Sequence, residues 1–386
     1  MANYKKSGTV TLFDTQNIKE NLSELGNPLE RLSKVVDFEM FRKSLEDVFE
    51  NKAKKNNAGA KPYDVVMMFK VMVIKHYYNL SDHQVQYQIT DRQSFKDFLG
   101  LASGDKIPDE KTIWAFSEKL AKSGLSEKLF QQFVDELNAK GLIFNEGQIV
   151  DASFVLAPKQ HNTRDENKDI KNGKGDELWN DKPNKKRQKD IDARWTQKGG
   201  QNYFGYKNHI KMDKVSKFIK KSFVSAASLH DSQALDYLAE ESDRGQTLHA
   251  DSAYVGQCDI LAKCGMSDEI CEKGFRGHPL SDEQKISNRK KSSIRSRVEH
   301  VFGFEEGSMN RLTTRAIGLL RATSTIFLKN TIYNFFRLEQ ITRLGINQQP
   351  RRHLPKQAHL PILRKLALLP RKIQTPPPQQ KQHLQQ

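Results

Sequence analysis

The sequence predicts an α/β protein, a mixed sheet with flanking helices preceded by an all-α N-terminal domain. Three observations carry this prediction. Apolar residues recur at helical spacing through the first 140 residues, short β-branched and alternating runs replace them after Gly147, and helix-length apolar stretches return beyond residue 280.

Residues 1–30 read as a polar arm. Leu32, Val35 and Val36, then Phe38, Phe41, Leu45, Val48 and Phe49, follow the helical period, and 51–62 is a polar loop closed by a proline. Tyr63 to Tyr78 is apolar enough to be a central core helix. Ser81-Asp82 caps the next helix, Pro108-Asp109-Glu110 opens another, and 125–140 is amphipathic. Gln148 to Leu156 is a strand interrupted by one carboxylate, Asp151. Residues 157–200 hold 20 charged residues and few apolar ones, which reads as a solvated insertion or a disordered loop. Tyr203–Met212 and Phe218–Ala227 alternate as the arms of an antiparallel hairpin. A helix over 232–242, a strand over 247–251, a helix over 259–263 and a strand near Ile270 follow. One long helix is expected over 281–304 and another over 316–340. From residue 346 the chain becomes a basic Pro/Gln-rich tail, with seven prolines between 350 and 386, and reads as disordered. The expected domains are therefore 1–140, 141–345 and the tail 346–386.

Composition narrows the function. Hydrophobic residues are 37% and charged residues 28%, and no run approaches the roughly 18 apolar residues of a membrane span. The polar start has no signal-peptide core, and Cys258, Cys264 and Cys271 lack the paired spacing of a zinc site or a disulfide scaffold, so a cytoplasmic protein is expected. The net charge is +16. Half of it lies in 285–337 and half in 351–386, which points to a polyanionic partner such as nucleic acid.

Three carboxylates stand out. Asp151 interrupts an apolar strand, Asp251 ends another, and Glu299 lies beside the apolar positions Ile294, Val298, Val301 and Phe302. A buried carboxylate is costly unless it is paired, hydrogen-bonded or metal-bound. Taken singly, each reads as an exposed or helix-capping acid. Together they suit a hard cation, Mg²⁺ or Mn²⁺, and two such ions about 3.5–4 Å apart serve phosphodiester displacement.

Four blocks extend the pattern: Ile149-Val150-Asp151-Ala152-Ser153; Asp192-Ala193-Arg194-Trp195 with Phe204-Gly205-Tyr206-Lys207-Asn208-His209; His249-Ala250-Asp251-Ser252-Ala253-Tyr254; and Arg295-Ser296-Arg297-Val298-Glu299-His300-Val301-Phe302-Gly303. In order and spacing the chain resembles the DDE transposases of bacterial insertion sequences, specifically the insertion-sequence-five group, over about residues 30–340. The resemblance implies an RNase H-like catalytic domain with Asp151, Asp251 and Glu299 as catalytic and metal-holding triad, Asp151 bridging two Mg²⁺ or Mn²⁺ ions. It implies hydrolysis at the element's ends and attack of the freed 3′-hydroxyl on target DNA. A homodimer in a synaptic complex, a nucleoid location and terminal inverted repeats as DNA partner follow from it too. The helical N-terminal domain would read those ends.

Arg295 precedes Glu299 by four, either as an intrahelical ion pair or as a contact to the scissile phosphate. Arg289, Lys290, Lys291 and Arg297 are further candidates for DNA backbone contacts. The wider family signature has a tyrosine and a basic residue where this chain has Ser292 and Glu306. Trp195, Tyr203, Phe204 and Tyr206 read equally as base-stacking groups or hairpin core. Two other functions stay open: a catalytically inactive DNA-binding remnant of a transposase, and a nuclease indifferent to end sequence.

Overall fold

A computed structural model describes residues 13–50, 61–102 and 104–346. The Pro/Gln-rich tail and most of the 51–62 loop lie outside the described residues.

The N-terminal helices form as their caps and periods dictate. Asp64 accepts hydrogen bonds from the Val66 and Met67 amides and starts the helix Val65–Tyr77, eight of whose side chains are buried. Ser81 and Gln84 close a reciprocal capping box on Asp82–Asp91, and Asp109 caps Glu110–Lys122. The polar arm holds a helix, Asp14–Glu24, with no buried residue, and Leu29 beyond it is fully buried.

Six strands make one mixed sheet: β1 (Gln148–Leu156), β2 (Arg194–Lys198), β3 (Gln201–Asp213), β4 (Ile219–Ala226), β5 (Thr247–Ala250) and β6 (Ser267–Ile270). Its order is β2-β3-β1-β5-β6, with β4 on the same edge of β3 as β2. β1 runs antiparallel to β3 and parallel to β5, and β5 is parallel to β6. Gly205 sits at φ +145°, and a Cβ there would collide with the Val155 carbonyl. Only glycine lets β3 pass β1 so closely.

The helix Leu319–Leu344 joins the two halves. One side packs on the N-terminal helices, where Phe335 meets Phe38, Phe41 and Phe133. The other side docks on the hairpin through polar groups: Asn330 bonds Asn208 and Ser222, and Asn334 satisfies both backbone groups of Ile219. One hydrophobic cluster thus runs from Leu29 to Ile341 and takes in helices and sheet alike. A smaller one lies on the opposite face of β1, around Val150, Leu235, Leu248 and Tyr254.

Three expectations are corrected. The helix expected over 281–304 is broken: Asp282–Arg295 gives way to a 3-10 turn, Ser296–Val298, before Glu299–Gly307. Serine hydroxyls compete for backbone acceptors there, and Ser296 Oγ donates to the Ser293 carbonyl. The helix expected over 232–242 is three short pieces, because Asp243 turns the chain by accepting from the Glu240 amide and from Lys211. Residues 157–200 are folded, with a capped helix at Arg164–Lys171, another at Pro183–Gln188 and the unexpected strand β2. Their charges pair internally: Glu166 receives both Lys185 and the Trp179 indole.

Candidate active site

Side chains alternate across a strand, so Asp151 shares the face of Ile149 and Val155, which pack in the larger cluster with Val298 and Val301. Asp151 is only 8% exposed. β1 and β5 pair in parallel at Gln148–Leu248 and Ile149–His249. That pairing ends before the two acids, and Asp251, the residue after β5, is near enough for its charge to act on Asp151. Asp251 directly follows β5 and its carboxylate accepts the Ala253 amide, which turns the chain into Ser252–Tyr254.

Burial pushes the Asp151 carboxyl up to about 6, the Asp251 charge adding to it, while the Ala152 amide and Arg295 pull the other way. Arg295 Nη1 lies 2.5 Å from Asp151 Oδ2, so its partner is Asp151. The 3-10 break directly after Arg295 ends the regular helix on which it would stand over Glu299. Tyr254 belongs to the same centre. Its buried hydroxyl has no hydrogen-bond partner among the described residues, and burial, with Asp231, Asp151 and Asp251 nearby, drives its pKa well above the ordinary phenol value. Reading the sequence took Tyr254 only as part of a block; its closeness to the acids follows from the turn at Asp251.

The structure brings together Asp151, Asp251 and Arg295. Glu299 is exposed at the start of its helix and lines a different cavity with Arg31, Tyr77 and His300. Among the described residues no group of three or more His, Cys, Asp and Glu is arranged to hold a metal ion. The donor chemistry of Asp151 and Asp251 nevertheless fits a hard cation: two neighbouring carboxylates, one buried, repel each other, with Arg295 paired to Asp151 and Lys198 acting on it more weakly.

The other basic candidates divide. Arg289 and Lys290 are exposed on Asp282–Arg295. Lys291 donates to the Ile270 carbonyl and Arg297 to that of Lys214, so both are engaged with backbone. Of the aromatic residues, Phe204 and Tyr206 are core, Tyr203 stacks on Phe154 at 4.4 Å, and Trp195 is 45% exposed. Ser292 faces Cys271.

Asp151 in β1 and Asp251 just past β5 thus lie near the basic helix Asp282–Arg295 on a chain of net charge +16. Two family models match the chain: "Transposase domain (DUF772)" over residues 16–119 and "Transposase DDE domain" over residues 144–335. Between them they take in most of the chain and make it a DNA transposase of the DDE kind. No solved structure matches it. Among the described residues no helix is long and apolar enough to cross a membrane.

Proposed function

We propose that this chain is a transposase of the insertion-sequence-five group that cleaves DNA at the ends of its element and transfers the freed 3′-hydroxyl into target DNA. The observation that carries the reading is Asp151, a buried carboxylate that feels the charge of Asp251 and is ion-paired to Arg295. Asp151 and Asp251 would hold the divalent cations, Mg²⁺ or Mn²⁺, with Glu299 the third carboxylate by position in the family blocks. When bound, such ions lower the pKa of an attacking water or hydroxyl and stabilise the leaving oxygen.

The protein's own groups do the rest. Arg295 stands at Asp151 and is the nearest cation for the non-bridging oxygens of the scissile phosphate. Arg289 and Lys290, both exposed, hold flanking phosphates. The Tyr254 hydroxyl is a donor beside the acidic pair, and the apolar residues beneath Asp151 keep bulk water from that side. The sheet and helices fit an RNase H-like catalytic domain over 141–345, with 1–140 reading DNA ends and two copies synapsing them.

Strand cleavage and joining on DNA bearing the element's ends, with Mg²⁺, tests the reading. Asp251→Asn is expected to bind these ends and not cut them. Cutting that persists in this variant overturns the assignment. The exposed setting of Glu299 favours one alternative, a DNA-binding remnant without activity, which predicts binding and no cleavage in the parent chain as well.

A further inference from the structure

A cleft of about 600 Å³ lies where the two matched transposase regions meet. Lys75, His76 and Trp114 come from the first, and Lys186, Arg187, Arg315, Arg321 and Lys329 from the second. Six of its lining residues are Lys or Arg and two are acidic, Asp82 and Glu118. Both acids are already engaged, Asp82 by Lys75 at 2.6 Å and Glu118 by Arg321 at 2.7 Å. Neither carboxylate is left over for Lys186, Arg187, Arg315 or Lys329. Arg187 and Arg315 are exposed and have no hydrogen-bond or ion-pair partner among the described residues.

Concentrated like charge is unfavourable in the free protein, and an anion removes the cost. Two further observations narrow the anion. Trp114 is 57% exposed within this basic lining, an indole face that no neighbouring ring covers among the described residues. His76, 6% exposed, also lines the cleft and has a buried Nε2 with no partner among the described residues. Phosphate oxygens satisfy free guanidinium groups, and a base with its own π-face and ring heteroatoms satisfies an open indole. The volume suits about one or two nucleotides rather than a duplex.

The cleft has a defined relation to the acidic pair. β1 carries Asp151 and ends at Leu156, whose amide and carbonyl bond to Leu312 and Thr314. Thr313 and Thr314 line the cleft. Five residues of strand put it roughly 17 Å from Asp151 along β1.

From this we infer that the cleft bounded by Trp114, Arg187 and Arg315 binds an unpaired DNA strand, with a base on Trp114 and backbone phosphates on the two arginines. Its place roughly 17 Å from the phosphate at Asp151 rests on the proposed function. The cleft's affinity for DNA does not.

The test measures binding of a fluorescent single-stranded oligothymidylate to the full chain across a salt series, without divalent cation. Trp114→Ala is expected to weaken binding by about 5- to 150-fold, and Trp114→Phe to restore most of it. Arg187→Ala with Arg315→Ala is expected to lower the log–log salt slope by about 0.7 for each phosphate no longer neutralised. All these positions are exposed, and unchanged melting temperatures check that the variants fold. Parental affinity and slope in both sets overturn the inference, as does equally tight binding of free thymidine monophosphate, which would make the cleft a small-nucleotide pocket. Strand binding through Trp114 by a chain that never cuts DNA would sink the proposed chemistry and leave the cleft standing. Cutting by a chain whose Trp114→Ala form binds the strand normally would do the reverse.

Discussion

Asp151 and Asp190 are both buried aspartates beside β3, and they are built oppositely. Asp190 accepts from the amides of Asp192, Ala193 and Gly318 and from the Tyr206 hydroxyl, so every acceptor direction is used. Asp213, at the end of β3, is similarly saturated by the Asn145, Val215 and Ser216 amides and the Ser216 hydroxyl. Asp151 accepts one amide, that of its own neighbour, and one arginine. The difference separates carboxylates that hold the chain from one whose charge is left for something else. A saturated carboxylate is stabilised by fixed dipoles and has no room for a cation; an under-bonded one keeps the cost of burial until a cation arrives.

The largest effect expected from this contrast is on activity. Asp151→Asn should lower cleavage by about a thousandfold or more while leaving the fold intact. Its stability should not suffer. The folded pKa of Asp151, about 6, lies above the ordinary 3.8, so its contribution is fully present below about pH 4 and is lost as pH rises through 6. At pH 8 the neutral isostere should therefore be more stable, by up to about 3 kcal/mol, in urea unfolding. A clearly less stable variant would mean that the Arg295 pair is structural.

Asp190→Ala should behave in the opposite way, losing on the order of 3 kcal/mol because a hydroxyl and three amides lose their acceptor. A third kind of acid sharpens the contrast. Glu305 is buried with neither oxygen hydrogen-bonded among the described residues, and burial pushes it up to about 8 despite Lys329 nearby. Its raised pKa makes stability fall as pH rises between about 4.5 and 8, and Glu305→Gln should flatten that fall in urea midpoints taken at pH 5 and pH 8. The smallest effect belongs to Tyr206→Phe, which takes one of the four donors from Asp190 and should cost about 1 kcal/mol. A loss as large as that of Asp190→Ala would show that the four bonds act as a unit.

Much of this was legible in the chain. Ser81, Asp109 and the apolar run after Tyr63 marked helices because capping and periodicity act over a few residues. The strand around Asp151 and the hairpin after it were marked by alternation, which is equally local. The two aspartates drew notice because a carboxylate in an apolar strand is anomalous wherever it occurs. The break after Arg295 was not legible, since the apolar period continues across it while the Ser296 hydroxyl takes the Ser293 carbonyl. Nor was the folding of 157–200. Its stability comes from Glu166, Lys185 and Trp179 meeting one another, and from Asp190 meeting Tyr206 and Gly318 far along the chain.

The sequence alone determined the class of fold, the basic flank and the identity of the two strand aspartates, because periodicity, charge and composition are properties of neighbours in the chain. Only the tertiary structure decided that Asp151 and Asp251 stand near each other, that Arg295 turns to Asp151, and that Trp114 meets Arg187 and Arg315 in one cleft. Those relations depend on strand register, a helix break and the docking of Leu319–Leu344 against both halves. Each joins residues tens to hundreds of positions apart, and no local rule specifies them.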